Sequence, residues 1–185
     1  MKIVFVRHGE PDKTYVDEKG FIGMGRDMAP LTELGIAQAK EASRSPLLQG
    51  CQIIVASPYT RALYTAAILS KNANLDILVE IDLHEFLPDK TFQVKGEEEN
   101  SNLHKEFIKC RGEYPQGETK KWETISEIIK RTKPVMDKYY DLGYEKIVVV
   151  AHGGVIRRYT GIDVIAYGEV LEVEYNKEFQ CFGWV

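Results

Sequence analysis

The sequence predicts an α/β protein, a three-layer sandwich in which helices flank a mostly parallel central sheet. Three short runs, Ile3–Val6, Cys51–Ala56 and Lys146–Ala151, are apolar and rich in β-branched residues, which is typical of strands buried on both faces. Helical patterns separate these runs, in the order expected of βαβ units. A length of 185 residues suits one well-buried core and is short for two. We therefore expect a single domain over residues 1–185.

Composition and charge narrow the function classes. Hydrophobic residues make up 44% of the chain and charged residues 28%, close to the averages of globular domains. A formal net charge of -4 gives no basic excess for a nucleic-acid backbone, so we expect a small-molecule ligand and no nucleic-acid partner. The first apolar stretch ends at Arg7, too soon for a signal peptide or membrane span. We expect a cytoplasmic protein without a membrane partner.

The three cysteines, Cys51, Cys110 and Cys181, are widely spaced and odd in number. They form no paired pattern of the kind found in disulfide frameworks or thiolate metal sites. Buried or idle thiols are the simpler interpretation.

A helix is predicted directly after the second apolar run. Ser57 supplies a capping hydroxyl and Pro58 suits the first helical position, so we expect a helix over Tyr59–Lys71. Arg61 then lies in its first turn.

A second helix is predicted before the third apolar run. Its apolar residues step by three and four and form one face, made of Trp122, Ile125, Ile129, Thr132, Met136 and Tyr139. We expect this helix to end near Gly143 and to be kinked by Pro134. It leads into the strand that precedes His152.

Two other regions give weaker patterns. Residues 86–117 are polar and show no sustained period, which indicates an insertion that covers the core like a lid. Val170–Tyr175 and Glu178–Phe182 are β-prone runs separated by Asn176 and Lys177. These two runs predict a hairpin at an edge of the sheet.

Residues suited to phosphate follow all three buried strands. Ligands of open α/β sheets bind at the carboxyl ends of the strands, and these ends carry Arg7-His8, Ser57 to Arg61, and His152. Two guanidinium groups can hold phosphate oxygens through charge-assisted hydrogen bonds. One imidazole can attack phosphorus while the other donates to the developing negative charge.

An alkoxide leaving group also requires a proton, and Glu85 is the leading candidate to supply it. Glu85 follows another apolar stretch, and negative phosphate oxygens nearby would favour its protonated form. The alternative is a solvated carboxylate at a strand end, because Glu80, Asp82 and Asp89 lie close in sequence.

The sequence resembles the histidine phosphatase superfamily, the phosphoglycerate mutase-like family, branch 1. The resemblance covers nearly the whole chain in five ordered segments: FVRHGE at 5–10, PLTELGIAQA at 30–39, SPYTRALYTAAI at 57–68, LHEF at 83–86 and VVAHGGVIRR at 149–158. It implies a phosphoglycerate mutase-like fold with a small insertion over the active site.

The resemblance also implies roles for individual residues. His8 would be the nucleophile, Arg7, Arg61 and His152 phosphate binders, and Glu85 the proton donor. No metal and no cofactor are implied. Gly9 would let the backbone approach the substrate closely, and Gly153 and Gly154 would open the next helix with exposed N–H donors toward phosphate.

Departures from the mutase pattern favour hydrolysis over mutase activity. Mutases usually carry a small hydroxyl residue and then an asparagine where this chain has Pro11 and Thr14. Their threonine-glycine pair corresponds to Met24-Gly25 or Ile22-Gly23, depending on the alignment. The segment from Glu85 to His152 also looks shorter than its mutase counterpart, which leaves less lid to exclude water.

The sequence therefore predicts a cofactor-independent phosphatase that hydrolyses a small phosphorylated metabolite. A phosphoglycerate mutase is the nearest alternative, and a non-catalytic protein that binds a phospho-ligand is another. Sugar phosphates, phosphoglycerates and nucleotide-like cofactor precursors such as ribazole phosphate remain open as substrates. Residues 86–117 are expected to select among them, and the sequence leaves the oligomeric state undefined.

Overall fold

The computed structural model describes residues 1–185 and contains one five-stranded sheet. Its strands are β1 (Lys2–Arg7), β2 (Ile54–Ala56), β3 (Ile77–Val79), β4 (Lys146–Ala151) and β5 (Val170–Glu174). Their order across the sheet is β3-β2-β4-β1-β5. Only β5 runs antiparallel to its neighbour, β1. The mostly parallel sheet predicted from the sequence is confirmed.

Six α-helices accompany the sheet. They are α1 (Thr14–Glu18), α2 (Glu33–Ala42), α3 (Thr60–Ala73), α4 (Glu97–Lys109), α5 (Ile125–Asp141) and α6 (Gly153–Thr160). Three short 3-10 segments, Gly23–Met28, Pro46–Leu48 and Ile81–Leu83, lie between them. None of the helices has the length and apolar character needed to cross a membrane.

The apolar core is divided between the two faces of the sheet. Successive strand residues point to opposite faces, so Ile3 and Phe5 join the cluster that includes residues of α5 and α6. Val4 and Val6 join the cluster that includes residues of α2 and α3. All four side chains are completely buried. The sheet therefore lies between two helical layers, as predicted, while the boundaries of a single domain stay a prediction.

The register of the parallel strands aligns their carboxyl ends. Arg7 of β1 lies opposite Ala151 of β4, and Ala56 of β2 lies opposite Val150. The residues that follow each strand therefore leave the sheet at one edge, where we expected the site.

The predicted C-terminal hairpin is wrong in its second half. Val170–Glu174 forms β5, but Glu178–Phe182 forms no strand. The ring of Phe179 instead stacks on Tyr159 at a centroid distance of 5.8 Å and packs against the apolar cluster on the α5 and α6 side. Burial of this ring takes the place of strand pairing. β2 is also shorter than its apolar run, because Cys51–Ile53 precedes the strand.

The helix before β4 begins later than its apolar pattern suggests. Thr124 caps it in a capping box with Glu127, so the first helical residue is Ile125 and Trp122 precedes the helix as a buried residue. The helix continues through Pro134 as one element and ends at Asp141, close to the predicted end.

The predicted insertion contains a helix that the sequence pattern did not reveal. α4 has no fully buried residue and is strongly polar, so its few apolar residues do not mark a face buried in the core. Three glutamates in its first turn complement the helix dipole. Phe107 attaches it to the rest of the protein by packing on Phe86 and Trp122, at centroid distances of 4.4 and 5.4 Å.

Two glycines allow α2 to contact the loop that follows β1. An ideal Cβ on Gly9 would lie 2.3 Å from the Gly35 carbonyl oxygen, and one on Gly35 would lie 2.3 Å from the Glu10 carbonyl oxygen. Backbone packing against α2 is thus one reason for a glycine at position 9, and its close approach to substrate stays a prediction.

We expect Gly35→Ala to lower the free energy of unfolding by about 1–3 kcal/mol, the usual cost of overpacking. The new methyl group would meet backbone atoms that cannot move without displacing the loop after His8. Urea denaturation measures the change. Gly183→Ala is the control, because Gly183 is exposed and its Cβ would meet no atom within 4 Å. Equal stability of the two variants would contradict this account of the contact.

Candidate active site

Two buried histidines meet where the parallel strands end. His8 follows β1 and His152 follows β4, and their ring centroids lie 4.9 Å apart. Their exposed fractions are 4% and 0%. Arg61, in the first turn of α3, donates from Nε to His8 Nε2 across 3.3 Å. The strand register thus brings together three of the five residues predicted to be catalytic.

The hydrogen bonds of His8 define its tautomer. Nδ1 lies 2.7 Å from the Gly9 carbonyl oxygen, which can only accept, so Nδ1 carries the hydrogen. Nε2 then keeps its lone pair. Burial, followed by the charges of Arg61 and Arg7, lowers the pKa of His8 to about 3. The imidazole is therefore neutral at physiological pH, as a nitrogen nucleophile must be.

His152 is held by a hydroxyl group on the neighbouring strand end. Its Nε2 lies 2.7 Å from Ser57 Oγ, whereas its buried Nδ1 has no hydrogen-bond partner. Burial, together with the nearby Arg61 charge, holds the pKa of His152 well below its usual value. Ser57 is not the N-cap predicted for α3, because Tyr59 takes that position and the helix starts at Thr60. The Ser57 hydroxyl accepts from the Tyr59 N–H at 3.4 Å and also faces His152.

Arg7 is fixed on one side and unpaired on the other. Its guanidinium carbon lies 4.1 Å from the centroid of the Tyr167 ring, and NH1 donates to the carbonyl of Ile165. Its buried Nε has no partner. Gly153, at the start of α6, lies beside it, because an ideal Cβ there would be 3.7 Å from Arg7 Nε. Tyr167 and Ile165 were not predicted, since no motif marks them.

Arg61 has a carboxylate partner that sequence analysis missed. Its NH1 donates to Asp27 Oδ1 across 2.9 Å, and its guanidinium carbon lies 4.9 Å from the Tyr59 ring centroid. Asp27 belongs to the 3-10 segment Gly23–Met28. Its position 34 residues before Arg61 gives no spacing signal, so only the fold reveals the pair.

Glu85 is oriented by two backbone donors. Its Oε1 accepts from the N–H groups of Phe86 at 2.8 Å and Gly154 at 3.1 Å. The contact from the Gly154 nitrogen to Oε2 is longer, at 3.4 Å. A side chain at Gly154 would displace this carboxylate, because a Cβ there would lie 2.4 Å from Oε1. The Gly154 N–H, predicted to be exposed toward phosphate, is therefore engaged by Glu85.

An ion pair from the α5 region holds the backbone that carries Glu85. Arg131 forms two hydrogen bonds with Glu123, at 2.6 and 3.0 Å, and donates to the carbonyls of Asp82 and Glu85. The Glu123 N–H also donates to the Leu87 carbonyl at 2.8 Å, and the Glu123 side chain accepts from the Leu87 N–H at 3.3 Å. No sequence pattern predicted this ion pair, which holds the backbone on both sides of Glu85 through hydrogen bonds.

These groups surround a cavity of about 580 Å³. Of the predicted site residues, Arg7, His8, Arg61, Glu85 and Gly153 line it, and the fully buried His152 lies behind them. The opposite wall comes from residues 86–117 and the C-terminal segment, and its aromatic members include Phe86, Phe92, Phe107 and Trp184. The cavity thus has a cationic end, formed by Arg7 and Arg61 and suited to phosphate, and an aromatic part formed by these rings.

Comparisons with known proteins give the relationships of the chain. A family model described as histidine phosphatase superfamily (branch 1) matches residues 3–162. A protein of Hydrogenobacter thermophilus named "Putative phosphoserine phosphatase 2" is 28% identical over 162 residues, which are 84% of this chain and 74% of that protein.

Solved structures share the fold. A mycobacterial glucosyl-3-phosphoglycerate phosphatase in complex with VO3 gives a TM-score of 0.71 at 19% identity, over 100% of this chain and 97% of the other. The Bacillus stearothermophilus protein YhfR also gives 0.71, at 18% identity, over 100% and 95%. At these identities the likeness concerns the architecture alone.

We expect stability to fall as the pH drops below about 6.5, the ordinary pKa of histidine. The unfolded chain then binds a proton at position 8, whereas folded His8 stays neutral down to its pKa of about 3. His8 alone should contribute a slope of about 1.4 kcal/mol per pH unit. Denaturation of wild type and His8→Asn at several pH values measures the difference in slope. Identical slopes would contradict a neutral buried His8.

Proposed function

Because the chain belongs to the histidine phosphatase superfamily, branch 1, we propose that it hydrolyses small phosphomonoesters through a phosphohistidine on His8. The state and hydrogen bonds of His8 are the main support for this proposal. His8 is neutral, its Nδ1 is committed to the Gly9 carbonyl, and its Nε2 lone pair faces a guanidinium group at the cationic end of the cavity. The family match and the phosphatase names of similar proteins support the same class of activity.

Unpartnered donors at the cationic end would bind the phosphoryl group. Arg7 Nε and His152 Nδ1 are both buried without partners, and such groups cost about 1–3 kcal/mol each when left unsatisfied. If the Ser57 hydroxyl donates to His152 Nε2, then Nδ1 carries the hydrogen and can donate to phosphate. Arg61 Nε would turn from His8 Nε2 to a phosphate oxygen and so release the lone pair.

In the first chemical step, the Nε2 lone pair of His8 forms a bond to phosphorus. The bond between phosphorus and the ester oxygen breaks, and its electron pair leaves with that oxygen. Glu85, protonated on Oε2, passes its proton to the departing oxygen, so that a neutral alcohol forms. Arg7, Arg61 and His152 stabilise the negative charge on the transferred group.

In the second step, Glu85 acts as a base. Its carboxylate accepts a proton from water, and the water oxygen bonds to phosphorus on His8. The bond between phosphorus and Nε2 breaks, its electron pair returns to the ring, and inorganic phosphate is released. Glu85 ends protonated and His8 neutral, ready for another turnover.

The cavity lining supports hydrolysis over the mutase alternative. Pro11 lines the cavity, whereas Thr14 does not and is exposed at the start of α1. The position that carries an asparagine in mutases thus supplies no polar group to the cavity. Product analysis separates the two reactions, because a mutase returns the phosphoryl group to a second hydroxyl oxygen of the substrate.

We expect wild type to release phosphate from 4-nitrophenyl phosphate and to incorporate one oxygen atom from heavy-oxygen water per turnover. His8→Asn should lose this activity by about 10³-fold or more, because the nucleophile is gone. Glu85→Gln should lose about 10²- to 10⁴-fold on alkyl phosphates, whose leaving oxygen needs a proton. Phosphate release and mass spectrometry of the product give both readouts.

Asp82→Asn is the matched control for the carboxylate variant. Asp82 is exposed three residues before Glu85, so its variant should keep wild-type rates. Full hydrolysis by His8→Asn would sink the proposal, and transfer of the phosphoryl group to another hydroxyl oxygen of the substrate would favour the mutase. Binding without any turnover would favour a non-catalytic protein.

A further inference from the structure

The loop between α6 and β5 lies against Arg7 and His8, and the reaction proposed above uses none of its side chains. It spans residues 161–169. The Gly168 N–H donates to the carbonyls of Arg7 at 3.1 Å and His8 at 3.3 Å. The Arg7 N–H donates to the Glu169 carbonyl at 3.0 Å, which extends the pairing of β1 with β5. Backbone hydrogen bonds therefore fix this loop against the two residues at the centre of the proposed chemistry.

Tyr167 of this loop places its ring over the Arg7 guanidinium. The guanidinium carbon lies 4.1 Å from the ring centroid, well within the range of a cation–π interaction. The same ring lies beside the His8 imidazole, at a centroid distance of 5.5 Å and an interplanar angle of 42°. Tyr167 is half-buried and lines the cavity. One aromatic ring thus contacts both the proposed nucleophile and a proposed phosphate binder.

The charge of Arg7 is stabilised without a carboxylate. Arg61, the other guanidinium of the cationic end, has its NH1 occupied by Asp27, whereas Arg7 takes part in no salt bridge. A carboxylate beside Arg7 would neutralise the charge and occupy N–H groups that an anion needs. A ring face attracts the cation from above its plane and leaves the N–H groups at the edge available.

We propose that Tyr167 is a positioning residue, which holds the Arg7 guanidinium in place for the phosphoryl group without neutralising it. This inference rests on the proposed function, in which Arg7 binds that group. NH1 of Arg7 is anchored on the Ile165 carbonyl, and the ring sets the plane of the guanidinium. The side chain therefore loses little conformational freedom when the anion binds, which favours binding.

Inorganic phosphate tests this assignment in the His8→Asn background, where binding is measured without turnover. We expect Tyr167→Leu to weaken phosphate binding by about 5- to 30-fold, the range of a desolvated cation–π interaction, because leucine is apolar but has no π face. Tyr167→Phe should keep most of the affinity, because the ring remains. Calorimetry measures the affinities, and thermal unfolding checks that each variant folds. Tyr64→Leu is the matched control, since Tyr64 lies on α3, is 40% exposed and does not line the cavity.

A double-mutant cycle with Arg7→Gln separates positioning from a structural role. If Tyr167 acts through the Arg7 charge, Tyr167→Leu should change phosphate affinity by less than about 2-fold once position 7 is glutamine. The same cycle in kcat/KM on 4-nitrophenyl phosphate, with His8 present, extends the comparison where phosphate binding is weak. Equal losses with and without Arg7, or a loss in Tyr167→Phe as large as in Tyr167→Leu, would overturn the inference.

Failure of this inference and failure of the proposed function are distinguishable. Hydrolysis of 4-nitrophenyl phosphate by wild type, with no effect of Tyr167→Leu on either readout, would overturn the role of Tyr167 and leave the proposed function standing. Absence of hydrolysis, with an Arg7-dependent loss of phosphate affinity in Tyr167→Leu, would remove the proposed function and support the positioning of Arg7 for an anion.

Discussion

The parallel pairing of β1 with β4, and of β4 with β2, is the constraint on which the candidate site depends. Register places Arg7 opposite Ala151 and Ala56 opposite Val150, so the next residues of all three strands emerge at one edge. Burial of both sheet faces fixes this register, because a slip by one residue would exchange the side chains of the two apolar layers. Two buried imidazoles and the half-buried Arg7 and Arg61 are thereby held close together.

The same burial that holds the site also prepares its chemistry. Removal of water disfavours charge on His8 and His152, so the imidazoles are neutral while the arginines keep their charge. Buried donors such as Arg7 Nε remain unpaired, which lowers stability but strengthens attraction for an anion. Glu123 and Arg131 extend this rigid frame to the loop with Glu85. The unpaired donors thus lower the stability of the fold, and the same donors form a preorganised anion site.

Sequence patterns predicted the sheet, its helical layers and the meeting of His8, Arg61 and His152, because continuous β-branched runs and strand-end motifs are local signals. They did not predict Asp27 or the pairing of Glu123 with Arg131, because distant charged residues carry no information on which partner they meet. α4 was missed because it is strongly polar and has no fully buried residue. The packing of Gly9 against Gly35 was not predicted, because it is visible only when both chain segments are placed.

The most direct measurement of the central claim is the position of phosphorus on the protein. Wild type would be mixed with 4-nitrophenyl phosphate, quenched in alkali within one turnover and studied by phosphorus NMR and peptide mass spectrometry. His8 Nδ1 carries a hydrogen in its hydrogen bond to the Gly9 carbonyl, so the account predicts phosphorylation of His8 at Nε2. Phosphorus on Nδ1, on another residue, or on no residue despite rapid hydrolysis would contradict the account.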